Sequence, residues 1–76
     1  RRDSYLSDLK FVAEIPRSSE ETIRVFSGKY WNISVVDIRW YKGERPTRKG
    51  IRLNMEEARS LLHVLENIVG EENENI

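Results

Sequence analysis

The run from Trp31 to Trp40 limits the fold most, because its apolar and polar side chains alternate with a single slip of phase. Apolar residues occupy every second position up to Val35 and again from Val36. Alternation of this kind is typical of a half-buried strand, and a β-bulge at the slip would keep both apolar sets on one face. We expect one long, strongly curved strand at about Tyr30 to Tyr41. Its polar face would carry Tyr30, Asn32, Ser34, Asp37, Arg39 and Tyr41.

Shorter alternating runs on both sides of this strand predict three further strands. The first covers about Leu9 to Pro16 and places Leu9, Phe11, Ala13 and Ile15 on one side. The second runs from about Glu21 to Ser27, and Ser27-Gly28-Lys29 supplies the flexible backbone of a hairpin tip. A cationic loop then covers Lys42 to Lys49, and a short fourth strand follows at Gly50 to Leu53.

A single helix after the last strand is the clearest local prediction. Asn54 is followed three positions later by Glu57, which is the spacing of a capping box. Apolar residues then recur at intervals of three and four, as an amphipathic helix requires, and Gly70 is expected to end it. The predicted class is α+β, with a strongly curved four-stranded antiparallel sheet followed by one C-terminal helix, in the order β-β-β-β-α.

Length and composition limit the architecture further. A chain of 76 residues forms one domain and buries only about 60–65% of its unfolded surface, so we expect a thin core and a dimer that covers it. No cysteine is present, which favours an intracellular setting because disulfide frameworks belong to oxidising compartments. The sequence predicts a flexible N-terminal arm at 1–8, the domain at 9–70 and an acidic C-terminal tail at 71–76.

The formal net charge of zero hides a strong separation of charge along the chain. Residues 22–55 hold eight lysines and arginines against two acids, whereas residues 56–76 hold one arginine against six acids. A basic, aromatic-rich centre with an acidic end is the layout of a protein that meets a polyanion on one face.

Two short motifs carry a family resemblance. Asp37-Ile38-Arg39 in the long strand is followed by Lys49-Gly50-Ile51-Arg52-Leu53-Asn54 directly before the helix. Their order resembles the single-stranded-DNA-binding domain of the transcriptional coactivator family called positive cofactor four, whose architecture is related to Whirly proteins. The resemblance covers about Glu21 to Ile68. It implies a homodimer in which two curved sheets hold single-stranded or melted DNA with little sequence preference.

The resemblance and the charge pattern together predict the DNA-binding residues. The family aromatic before a Gly-Lys tip matches Phe26, the tip lysine matches Lys29, the strand arginine matches Arg39, and the loop lysine matches Lys49. The predicted site consists of Arg24, Phe26, Lys29, Tyr30, Arg39, Tyr41, Arg48, Lys49 and Arg52. A second set of candidate DNA-binding residues comprises Arg17, Trp31, Trp40, Lys42 and Arg45.

Structural interpretations stay open for several of these residues. The cations could form an ordinary solvated sheet face, and Phe26 could pack in the core instead of stacking on a base. Trp40 shares the parity of Ile38, which favours a core or dimer position over base stacking. Asp37 is expected to orient Arg39 or a neighbour, because a carboxylate beside a phosphate is repelled.

An enzyme is not expected from this sequence. His63 is the only histidine, so neither a cysteine nor a second histidine could complete a metal site with it, and Glu56 and Glu57 are explained by helix capping. We expect no catalytic residue, metal or other cofactor. The predicted partners are single-stranded DNA, a second copy of the chain, and transcription or replication proteins in an intracellular, DNA-associated location. A protein-interaction scaffold and an RNA-binding module remain the alternatives.

Overall fold

The computed structural model describes residues 9–74 as one antiparallel sheet followed by one helix. The strands are β1 (Leu9–Pro16), β2 (Glu21–Tyr30), β3 (Ile33–Lys42) and β4 (Arg45–Asn54), and the helix is α1 (Met55–Glu74). The strands neighbour one another in sequence order, β1-β2-β3-β4. The predicted α+β class and strand order are confirmed. The predicted arm at 1–8 lies outside the described residues.

The β2–β3 hairpin turns at Trp31 and Asn32, not at the predicted Ser27-Gly28-Lys29. Both turn residues have positive φ, 55° for Trp31 and 66° for Asn32, as in the type I′ turn that matches the twist of a two-residue hairpin. Asparagine tolerates this left-handed conformation, whereas a tryptophan there is uncommon. The Ser27-Gly28-Lys29 segment instead stays in β2, paired with β3.

The predicted bulge at Val35 and Val36 is wrong, because β2 and β3 pair without interruption from Tyr30–Ile33 to Glu21–Lys42. The irregularities lie in the two outer strands. One falls in β1 at Val12, and the other in β4 between Pro46 and Gly50. A single extra residue changes the face on which the following side chains lie, so β1 exchanges faces at Val12. In β4 the pairing advances four residues, from Pro46 to Gly50, while β3 advances two, so β4 keeps its faces, as do the central strands.

Cross-strand partners share a face of the sheet, and the pairing defines two faces. The Phe26 face carries Leu9, Phe11, Glu14, Thr22, Arg24, Phe26, Tyr30, Ile33, Val35, Asp37, Arg39, Tyr41 and Arg52. The Trp40 face carries Ala13, Ile15, Ile23, Val25, Lys29, Ser34, Val36, Ile38, Trp40, Ile51 and Leu53. Ser34 and the pair Ile33 and Val35 therefore lie on the faces opposite to those predicted.

Strand β4 begins at Arg45, so most of the predicted cationic loop at 42–49 is strand. The chain turns at Gly43 and Glu44, and Gly43 has a φ of 62°, which suits the first position of a two-residue hairpin turn. Gly50 allows β4 to approach β3 closely, because a Cβ at this position would lie 2.7 Å from the carbonyl oxygen of Ile38.

The helix begins at the predicted capping box. The Glu57 amide donates to the Asn54 side-chain oxygen at 2.8 Å, and the Asn54 amide donates to the Glu57 carboxylate at 2.9 Å. The predicted end at Gly70 is wrong, because α1 continues to Glu74 and takes in most of the predicted acidic tail. A glycine inside a helix costs only about 1 kcal/mol relative to alanine, and the glutamates that follow are good helix formers.

The hydrophobic core is thin, as the length of the chain predicts. Among the described residues, Leu9 and Val35 are the only buried apolar side chains, and Asp37 is the buried charged one. The helix contacts β3 and β4, but Leu62, Leu65, Ile68 and Val69 remain 47–56% exposed. Over the described part of the chain, the helix is not apolar enough to cross a membrane.

Candidate nucleic-acid interface

Three aromatic rings from three neighbouring strands lie side by side on the Phe26 face. The ring centroids of Phe26 and Tyr41 are 6.0 Å apart in a stacked arrangement, and those of Phe26 and Phe11 are 5.8 Å apart, edge to face. Phe26 is half-buried between its neighbours. The rings of Phe11, Phe26 and Tyr41 form a row across three strands, which we call the aromatic track.

Arginine side chains lie over two of the tyrosines on this face. The Arg24 guanidinium carbon is 4.5 Å from the centre of the Tyr41 ring, and that of Arg52 is 4.8 Å from the centre of the Tyr30 ring. Cation–π contacts of this kind contribute about 0.5–1 kcal/mol at exposed sites and more when desolvated. The two tyrosines therefore help to fix the positions of the Arg24 and Arg52 guanidiniums.

Asp37 holds two arginines on the same face. Its carboxylate is buried and accepts from Arg39 Nη2 at 3.1 Å and from Arg52 Nη2 at 3.2 Å. Arg39 also donates from Nη1 to the Thr47 carbonyl oxygen at 3.1 Å. The side chains of Arg39 and Arg52 are each about a quarter exposed. The expectation that Asp37 orients Arg39 is confirmed, and Arg52 is a second guanidinium that it orients.

Arg24, the cross-strand partner of Arg39, lies in an acidic setting on the same face. It is 4.0 Å from the Glu14 carboxylate and 3.5 Å from the Glu44 carboxylate, and it contacts the Gly43 carbonyl oxygen at 3.5 Å. Its side chain is only 18% exposed, whereas that of Glu44 is 90% exposed. A polyanion that reached Arg24 would compete with an exposed carboxylate, which has little to hold it in place.

A recess of about 180 Å³ opens beside the aromatic track. Its lining combines the Phe26 and Tyr41 rings with the Arg39 guanidinium, so it offers both a flat apolar contact and a cation held by Asp37 to one ligand group. The residues that line it are Leu9, Phe26, Asp37, Arg39, Tyr41 and Pro46.

The Trp40 face holds a second group of cations around one ring. The Arg17 guanidinium carbon lies 4.3 Å from the centre of the Trp40 ring, and Lys49 Nζ lies 5.3 Å from it. The Thr47 hydroxyl donates to the Trp40 carbonyl oxygen at 2.8 Å and accepts from the Lys49 amide at 3.2 Å. The Thr47 hydroxyl thus supplies hydrogen-bond partners to two backbone groups at the β4 bulge and helps to position the Lys49 backbone.

The structure brings together six of the predicted binding residues and separates the others. Arg24, Phe26, Tyr30, Arg39, Tyr41 and Arg52 share the Phe26 face. Lys29, Trp40 and Lys42 lie on the opposite face by pairing, Arg45 pairs with Lys42, and Arg17 and Lys49 contact Trp40. Arg48 is exposed in the β4 bulge, and Trp31 is 80% exposed at the hairpin turn.

Sequence reasoning missed three residues that contact the predicted site. Phe11 packs on Phe26, Glu14 pairs with Arg24, and Thr47 supports Arg39 and the β4 bulge. The alternation of β1 assigned Phe11 to the same side as Ala13 and Ile15, because no sequence signal marks the bulge at Val12. The charge of Glu14 opposite a basic strand was the one signal that could have indicated its pairing.

The comparison with protein families agrees with this geometry. The family model of the transcriptional coactivator p15 (PC4) matches residues 17–64. The chain belongs to this family. The PC4 family consists of DNA-binding transcriptional coactivators, so the family resemblance drawn from the sequence motifs is confirmed. Searches of curated proteins and of solved structures gave no match.

The matched segment contains β2, β3 and β4 and the first half of α1, and with them every predicted binding residue. Strand β1 precedes it. Within the described residues, no group of three or more histidine, cysteine, aspartate or glutamate side chains is placed to hold a metal ion.

Proposed function

We propose that this chain is a binding module, not an enzyme, that holds single-stranded or melted DNA with little preference for base sequence. PC4-family members bind single-stranded DNA and interact with transcription factors. The observation that carries the proposal for this chain is the Phe26 face, where the aromatic track lies beside Arg24, Arg39 and Arg52. Cations attract any phosphate backbone, and aromatic faces accept any base.

Selectivity for unpaired DNA follows from the aromatic track. An aromatic ring on the sheet can stack only on a base that is free of its partner strand, whereas a basic patch alone attracts duplex as well. The predicted site residues fall into two groups, which contact different parts of the DNA. Those on the Phe26 face contact bases and nearby phosphates, and the cations around Trp40 contact phosphates as the strand passes the edge of the sheet.

The functional unit in this proposal is a homodimer. The chain exposes 6400 Å², against about 4,900 Å² for a compact monomer of 9.0 kDa. Its radius of gyration is 14.3 Å, against about 11 Å for a compact domain of this length. The half-exposed apolar side chains of α1 supply the surface that a second copy would cover. The role is that of an accessory factor in intracellular transcription, replication, recombination or repair.

Matched oligonucleotides test the binding proposal. Affinity for a single strand, a bubble and a duplex of equal length is measured at one salt concentration by fluorescence anisotropy. We expect tighter binding to the single strand and the bubble than to the duplex, and similar affinity for different base sequences. Equal affinity for all three forms would indicate that the site binds DNA only through its positive charge, without base stacking.

Light scattering tests the dimer separately. The expected mass is about 18 kDa, twice the 9.0 kDa of the chain. A monomer that persists at tens of micromolar would exclude the homodimer. DNA binding would then have to be explained by the sheet of one chain.

A further inference from the structure

Strand β1 lies before the segment that matches the family model, yet it supplies the outermost ring of the aromatic track. Phe11 pairs directly with Phe26 across the β1–β2 ladder, and their ring centroids are 5.8 Å apart at an interplanar angle of 73°. Phe11 is 55% exposed. More than half of a large aromatic side chain is therefore open to a ligand beside a ring that the proposed function already assigns to base stacking.

The bulge at Val12 is what places Phe11 on this face. Ahead of it, Leu9 and Phe11 lie on the Phe26 face, and after it Ala13 and Ile15 lie on the Trp40 face. An uninterrupted strand would have put Phe11 on the same side as Ile15. Bulges are known to re-aim side chains beside functional sites, and this one adds an aromatic ring to a cationic face.

The spacing of the rings suits bases that are held apart. Neighbouring centroids in the aromatic track are 5.8 Å and 6.0 Å apart, compared with about 3.4 Å between successive stacked bases of a duplex strand. Three rings in a row can therefore each meet a different base of an extended single strand. Glu14, which lies on this face three residues after Phe11, is 4.0 Å from the Arg24 guanidinium, and this positive charge offsets its repulsion of a phosphate.

We propose that Phe11 is a further base-stacking residue, and that β1 lengthens the single-stranded DNA track by one base beyond Phe26. This proposal rests on the proposed function and deepens it. It assigns a contact to a part of the chain outside the family match and predicts a longer footprint on DNA than Phe26 and Tyr41 alone would give.

Oligothymidylates of graded length, from about 4 to about 16 nucleotides, test the proposal by fluorescence anisotropy with the intact chain. Phe11→Ala should weaken binding of the longer oligonucleotides about 5- to 10-fold, the lower part of the range for one stacked base. Binding of the shortest should change little, since they can be held by Phe26 and Tyr41 alone. The slope of log affinity against log salt should stay the same, because no phosphate contact is lost.

Two further variants separate stacking from packing. Ile15→Ala is the matched control, because Ile15 is 50% exposed on the same strand but lies on the Trp40 face, and it should bind like the wild type. Phe11→Leu keeps an apolar side chain without a flat face. It should melt close to the wild type and still lose affinity for the longer oligonucleotides.

Wild-type affinity of Phe11→Leu at every length would overturn the inference, because the ring would then serve packing only. The same conclusion would follow if Phe11→Ala bound normally. Failure of the wild-type chain to bind any oligothymidylate would instead overturn the proposed function itself, so the two failures are distinguishable.

Discussion

The two faces of the sheet both combine aromatic rings with cations, but they hold those cations differently. On the Phe26 face the side chains of Arg24, Arg39 and Arg52 are 18–25% exposed and lie against carboxylates. On the Trp40 face Lys49 is exposed, and the Arg17 side chain is half exposed. The guanidiniums of the Phe26 face are therefore more enclosed before any ligand binds, whereas the Trp40 face presents its cations at more exposed positions, with Arg17 4.0 Å from the Glu21 carboxylate.

This difference separates two contributions to binding. Hydrogen bonds to a charged group contribute about 1.5–3 kcal/mol each, enough for Asp37 to hold two guanidiniums in one orientation. An exposed cation over the half-buried Trp40 ring gains about 0.5–1 kcal/mol, a weaker interaction that lets Lys49 follow a phosphate. We expect the Phe26 face to set base contacts and the Trp40 face to supply salt-dependent attraction.

Asp37→Asn should give the largest change, because it removes the charge that holds the Phe26 face together. Breaking a buried ion pair costs about 3–5 kcal/mol, and partly exposed arginines regain some hydration. We expect a loss of about 2–4 kcal/mol in the free energy of unfolding, measured by urea denaturation at fixed protein concentration.

Glu44→Gln is the control for Asp37. Glu44 also pairs with an arginine, but its side chain is 90% exposed, so its removal should change stability by no more than about 0.5 kcal/mol. If the two variants unfolded at the same urea concentration, the Phe26 face would not be fixed by its buried carboxylate.

Phe26→Ala tests whether the aromatic track contacts bases. Loss of one stacked base should cost about 1–3 kcal/mol of binding free energy and leave the salt slope unchanged. Ile51→Ala, from an exposed position on the Trp40 face, should bind normally. A Phe26→Ala protein that melts much earlier yet binds normally once folded would assign the ring to the core.

Thr47→Val probes the bulge that supports Lys49 on the Trp40 face. Valine has a similar shape but leaves the Trp40 carbonyl and the Lys49 amide without their hydroxyl partner, and we expect a loss of about 1–2 kcal/mol in stability. Thermal melts would measure it. Thr47→Ser keeps the hydroxyl and should recover most of the stability, and equal melting of both variants would contradict this role.

Lys49→Ala should have the smallest effect and the most specific signature. Removing one phosphate contact should flatten the plot of log affinity against log salt by about 0.7 and weaken all base sequences alike. Lys10→Ala, an exposed cation on β1, serves as the control. A change that depends on base sequence would place Lys49 among the base contacts and remove the distinction between the faces.

Local sequence determined the parts of this protein that depend on near neighbours along the chain. The bounds of β1 follow from alternation that ends at a proline, and the start of α1 follows from the capping pair Asn54 and Glu57. The motif around Asp37 identified the family because its residues sit together in one strand. Parity alone placed Phe26 with Arg24 and Trp40 with Ile38, since β2 and β3 pair without interruption.

Only the tertiary structure decided which residues of the outer strands reach the candidate site. A bulge is set by how two strands pair, and the phase slip at Val35 looked like one although the real irregularities lie at Val12 and beside Thr47. The bulge at Val12 brings Phe11 to the Phe26 face, and the one in β4 places the Thr47 hydroxyl between the Trp40 carbonyl oxygen and the Lys49 amide. In β1 the one extra residue moves every later side chain to the other face. Pairing between strands is a non-local property, so alternation within one strand cannot predict it.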